Sequence, residues 1–184
     1  MEKAIIIIAV SDYVGMSPLP GTINSAQRIA DWAETEGYRQ LFLTDKYSRF
    51  QKSDISAATT VDQPVTIDWC KRDIRKFLNR PIDRLIVYFA GHGMTMPPAS
   101  QIWLLNQANQ DSEEGIKVDA FRRGLENYNI GAFNDNLRKG QVTIVSDCCR
   151  DVVELSDDFE GHKVLTKRGS KSPFHLDLFN ATLR

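Results

Sequence analysis

The 184-residue chain has only three cysteines, Cys70, Cys148 and Cys149. That is too few for a disulfide framework, and the adjacent pair cannot close a normal bridge without strain. No CxxC pair or His/Cys cluster with zinc spacing occurs. The count suits a reducing compartment, where a thiol is either core filler or reagent. Long apolar runs are also missing. Ala4–Val10 and Leu85–Ala90 are the longest, far short of the roughly 18 residues a membrane span needs. Neither sign of charge dominates: 23 basic against 24 acidic side chains give a formal charge of −1. A nucleic acid or an anionic membrane is therefore not expected as the main partner, since either needs a cationic excess. Residues 1–10 resemble a short signal core but have no small-residue cleavage site after them, and they read as mature protein. The chain is expected to be soluble and cytoplasmic.

Apolar residues at 42% and charged residues at 26% are ordinary globular usage. The length suits a single domain. Ala4–Val10 (AIIIIAV), Leu85–Ala90 (LIVYFA) and Val142–Val145 (VTIV) are continuously apolar rather than alternating, as strands are when both faces are covered. Leu41–Leu43 is a weaker strand of the same kind. Between the first two, Ile23, Ala26, Ala30 and Ala33 fall at helical spacing and Gly37 supplies a stop. Ile67, Cys70, Ile74 and Phe77/Leu78 repeat the period, with Thr66 to begin that helix and Pro81 to end it. One or two further helices are expected from Asp119 to about Lys139, broken near residues 129–131. The alternation predicts an α/β three-layer sandwich with a mostly parallel central sheet flanked by helices. Lys46–Pro64 and Gly91–Ser100 read as loops, Gln101–Leu105 as a short accessory strand, and Leu176–Leu183 as one more strand. Trp32, Trp69 and Phe77 are read as helix-face core.

In open parallel sheets ligands bind beyond the carboxyl ends of the strands. Here those ends carry Ser11-Asp12, Gly91-His92-Gly93 and Asp147-Cys148-Cys149-Arg150. If the third and fourth strands are neighbours, about 4.8 Å apart, an imidazole and a thiol meet at their ends. A thiol with a His is the minimal apparatus for acyl transfer: the thiolate attacks a carbonyl and the imidazole handles the proton. The glycines beside His92 suit close approach of backbone to substrate, where a bare N–H helps bind an oxyanion.

YFAGHG (Tyr88–Gly93) and SDCCRD (Ser146–Asp151) resemble the two signatures of caspase-like cysteine peptidases, including metacaspases and bacterial relatives. The caspase signature has its His about 50 residues before the nucleophile; here the separation is 57. The opening strand, SDY, and the Leu-Pro-Gly turn into PLPGTINSAQRIADWAE are similar too. The resemblance covers roughly residues 4–150. It implies that Cys149 is the nucleophile and His92 the catalytic histidine. Backbone N–H groups of Gly93 and Cys149 would form the oxyanion hole, and Asp147 would stand in the S1 pocket. An acidic pocket favours Arg or Lys before the scissile bond, because a desolvated guanidinium needs a carboxylate. Asp12 is a second S1 candidate, or equally a turn residue capping the first strand. The expected partner is thus a protein or peptide substrate, with self-processing a further option that the terminal Arg184 would suit.

Three positions depart from the family pattern. Asp151 stands where caspases have Gly, Cys148 where Ala or Ser is usual, and Ser25 where an Asp often follows the Asn of the first-helix motif. Cys148 and Cys70 read as packing residues, and His162 and His175 receive no role. No cofactor is expected. Asp157, Asp158 and Glu160 would be the place for Ca²⁺ activation, as in some metacaspases, although an acidic surface loop is the plainer reading. Only 35 residues follow Cys149, so the expectation is one caspase-like domain, residues 1–184, without most of the small-subunit portion. An inactive caspase-like scaffold that regulates a protein partner stays open as the alternative.

Overall fold

A computed structural model describes residues 1–46, 62–96, 100–128, 130, 140–148, 159–165 and 174–181. Its elements in order are β1 (Lys3–Ala9), α1 (Gly21–Thr35), β2 (Arg39–Thr44), α2 (Ile67–Phe77), β3 (Arg84–Ala90), β4 (Gly93–Met96), β5 (Ser100–Leu104), β6 (Gly115–Lys117), α3 (Val118–Leu125), β7 (Gly140–Asp147) and β8 (Phe174–Ala181). Five strands form one sheet in the order β2-β1-β3-β7-β8, and every pairing in it is parallel. A second, antiparallel sheet is built from β4, β5 and β6.

The continuous apolar runs are buried on both faces, as their lack of alternation predicts. Ile5, Ile6, Ile7 and Ile8 of β1 are all fully buried, each contributing about 1.5–3 kcal/mol of transfer free energy. Helices cover the two faces. On β2, the Gln40 amide donates to the Ala30 carbonyl of α1 (3.0 Å). The neighbouring Arg39, on the opposite face by the strand's two-residue period, lies over the Phe77 ring of α2 at 4.0 Å. The α1 stripe is the expected one, with Ile23, Ala26, Ala30 and Ala33 buried. Gly37 terminates it with φ +71°, a left-handed conformation glycine adopts without strain. Thr66 caps α2, accepting the Trp69 N–H at 3.3 Å.

Four expectations need correction. Residues within Gly91–Ser100, read as loop, form β4: Met94 is buried against the core, so a run punctuated by Gly and Pro-Pro still has an apolar face to pair. The segment from Asp119 is helical only as α3 among the described residues, with 131–139 lying outside them. The last strand is Phe174–Ala181, offset from the expected Leu176–Leu183. Trp32 is not core. It lies off the buried stripe of α1, is 45% exposed, and its ring leans on Tyr38 at 5.4 Å.

Candidate active site

β3 and β7 are neighbours, as the chemistry requires. Their register ends with Ala90 opposite Asp147, and the Gly91 N–H reaches the Asp147 carbonyl at 3.4 Å. Both chains then run off the same carboxyl edge of the sheet. Cys149, Arg150, Asp151, Asp157 and Asp158 lie outside the described residues; His92, Gly93, Asp147, Cys148, Asp12 and Glu160 lie within them.

His92 is half-buried between the end of β3 and the loop that follows β1. Its backbone N–H donates to the Tyr13 hydroxyl at 2.7 Å, which donates in turn to the Leu104 carbonyl at 3.3 Å. Its own carbonyl accepts the Leu104 N–H at 3.0 Å. The ring meets Tyr13 edge-on, centroids 4.6 Å apart. Gly91 is small of necessity, since a Cβ there would run into the Tyr13 hydroxyl and come within 2.9 Å of the Phe89 ring. The imidazole Nε2 sits 2.9 Å from the Ser17 carbonyl. A carbonyl only accepts, so this contact assigns the proton to Nε2 and leaves Nδ1 as the basic nitrogen. Gly93 opens β4 opposite Trp103.

Along β7 alternate residues are buried. Ser146 and Cys148 face the β4–β6 sheet. Ser146 is fully buried; it accepts the Trp103 indole N–H at 2.9 Å and donates to Gln101 Oε1 at 3.4 Å. The same Gln101 amide donates from Nε2 to Cys148 Sγ at 3.3 Å. Cys148 is thus held as a buried acceptor, which fits its reading as a packing residue.

Asp147 faces α1. The Tyr88 hydroxyl donates to its Oδ2 at 2.8 Å, and Ser25 of α1 lies beside the same phenol. Burial pushes the Tyr88 phenol far above its ordinary range, and the Asp147 carboxylate pushes it further. The phenol therefore remains a donor across physiological pH. Asp12, the other acidic candidate, is in an ion pair with Lys46 at 2.5 Å; that hydrogen bond is the main cause holding the Lys46 ammonium above its ordinary value.

Two supporting groups had no signal in the sequence. Asp45, at the carboxyl end of β2, is buried and accepts the Ser11 N–H (3.0 Å), the Asp12 N–H (2.7 Å) and the Asn106 amide (2.8 Å). It ties down the loop that carries Ser17. The Ser17 carbonyl is backbone, so no side-chain type could announce it. Among the described residues no group of three or more His, Cys, Asp or Glu side chains could hold a metal ion, and no helix is long and apolar enough to cross a membrane.

The family model of the caspase domain, peptidase family C14, matches residues 2–179, and the chain belongs to that family. No curated protein sequence matches the chain.

Proposed function

We propose that the protein is a cysteine endopeptidase working through a Cys149–His92 dyad, with a preference for Arg or Lys before the scissile bond. The observation that carries this reading is the pairing of β3 with β7. Cys149 follows Asp147 by the same two residues that separate His92 from Ala90, in strands that end side by side. Family membership supports it independently.

In the proposed reaction His92 Nδ1 takes the thiol proton of Cys149, and the thiolate attacks the peptide carbonyl carbon. The oxyanion is held by the N–H groups of Gly93 and Cys149. Collapse breaks the C–N bond, His92 returns the proton to the leaving amine, and water hydrolyses the thioester. The Ser17 carbonyl, holding Nε2–H at 2.9 Å, supplies the third member of the arrangement by fixing the tautomer and stabilising the imidazolium. Asp147 is the carboxylate best suited to a basic side chain, because the Asp12 charge is already met by Lys46. The substrate class is protein or peptide.

Peptides carrying a fluorogenic amide after Arg or Lys test this. Cys149→Ala and His92→Ala should each abolish cleavage, while Cys148→Ala should keep most of it. Loss of activity on Cys148→Ala with Cys149→Ala still active would shift the nucleophile by one residue and overturn the assignment.

A further inference from the structure

Tyr88 stands inside an apolar strand, yet its hydroxyl is spent on the carboxyl edge of the sheet. Tyr88 and Asp147 are diagonal neighbours on one face: Tyr88 pairs with Val145, and Asp147 lies two residues further along β7. The phenol has a single proton, and it goes to Asp147 Oδ2 at 2.8 Å. Ser25 of α1 lies beside the same phenol and acts on it as a donor would, opposing the rise that burial and Asp147 cause. Tyr88 is only 5% exposed, whereas Asp147 is half-exposed. Among the described residues no cation pairs with Asp147, in contrast to Asp12 with Lys46. The site therefore presents a half-exposed carboxylate held by the Tyr88 hydroxyl, with no cation on it among the described residues.

Resting on the peptidase reading, we infer that Tyr88, backed by Ser25, is the positioning residue that fixes the Asp147 carboxylate for a lysine or arginine side chain of the substrate. The specificity pocket then works with one carboxylate and two hydroxyls. Losing the phenol hydrogen bond frees the carboxylate to rotate and removes one donor that stabilises its charge, so recognition of a cation weakens. The chemical step, carried by His92 and Cys149 rather than by the carboxylate, should change little. Ser25 acts only through Tyr88 and has a smaller share.

The test compares two reporter peptides, one with Arg and one with norleucine before the scissile amide, on wild type, Tyr88→Phe, Ser25→Ala and Asp147→Asn. Tyr88→Phe should raise KM for the Arg peptide about tenfold, the size of one hydrogen bond to a charged group, with kcat within about twofold and the norleucine peptide unaffected. Ser25→Ala should move the same ratio by about twofold, and Asp147→Asn should remove the preference for Arg. If Tyr88→Phe lowers both peptides alike, or neither, while Asp147→Asn removes the preference, Tyr88 only packs and the inference fails while the peptidase reading stands. If Tyr88→Phe melts far below wild type, Ser25→Ala decides: an unchanged Arg-to-norleucine ratio overturns the inference. If wild type cleaves neither peptide in a Cys149-dependent way, the peptidase reading itself fails.

Discussion

The two faces of the sheet at its carboxyl edge are built on opposite principles. On the β4–β6 side, Trp103 stacks on Phe89 with centroids 4.8 Å apart, and a neutral chain of Ser146, Gln101 and Cys148 is sealed beneath it. On the α1 side, the Tyr88 hydroxyl, with Ser25 beside it, holds a half-exposed Asp147 carboxylate. A single strand supplies both, because alternate residues of β7 point to alternate faces. Packing holds the strand end from one side, and charge is left available on the other. His92 lies across this seam, its backbone joined to the β4–β6 side through Leu104 and its ring to the β1–α1 loop through Ser17.

This contrast is easiest to break on the packed side. Trp103→Ala removes a fully buried ring and one of the two hydrogen bonds of the Ser146 hydroxyl, and should lower stability by about 3–5 kcal/mol, read by chemical denaturation. A loss below about 1 kcal/mol would mean the stack is not a keystone. Gly91→Ala forces a methyl group toward Tyr13 and Phe89 at the seam itself, with an expected cost of about 1–3 kcal/mol. It should also disturb the Tyr13–His92 bond, so activity should fall more than the melt alone explains; an equal fall would detach Tyr13 from the site. Gln101→Ala removes the two bonds that hold Ser146 and Cys148, costing about 1 kcal/mol. It should lower kcat without changing the proposed preference for Arg, since Asp147 lies on the other face.

The smallest effect sharpens the same contrast through pH. Glu114 accepts the Ile67 N–H at the start of α2 (3.0 Å) and is buried on the packed side. Burial pushes its carboxyl up, the Ile67 N–H opposes this, and Asp111 and Asp68 add to the rise. The folded state thus holds this proton more tightly than the unfolded chain. Its contribution is fully present at acid pH and lost as pH rises from the ordinary Glu range through the folded value. Glu114→Gln should lack that slope, so its stability relative to wild type should improve with rising pH. A difference independent of pH would show that folding does not shift the Glu114 carboxyl.

The parallel sheet was legible because AIIIIAV, LIVYFA and VTIV have no polar face, and α1 and α2 because their apolar residues keep the helical period. β4 was hidden by the glycines and prolines around it, and β6 by its three-residue length. Trp32 misled because an aromatic near an apolar stripe reads as part of it, while the face it occupies is open to solvent. At the site, His92 and Asp147 could be read from their strand ends. The Ser17 carbonyl and the clamp made by Asp45 could not, since both depend on a loop folding back between β1 and β2. Tyr88 was masked by the apolar run that contains it: its ring is core, and only its hydroxyl reaches Asp147.

The account turns on a sulfur delivered to His92 one residue beyond Cys148. Reaction of the protein with an Arg-bearing peptidyl acyloxymethyl ketone, followed by intact-mass and peptide mapping, tests this most directly. The expected result is a single thioether on Cys149 that fails to form in His92→Ala. An adduct on Cys148, or no adduct on wild type, would contradict it.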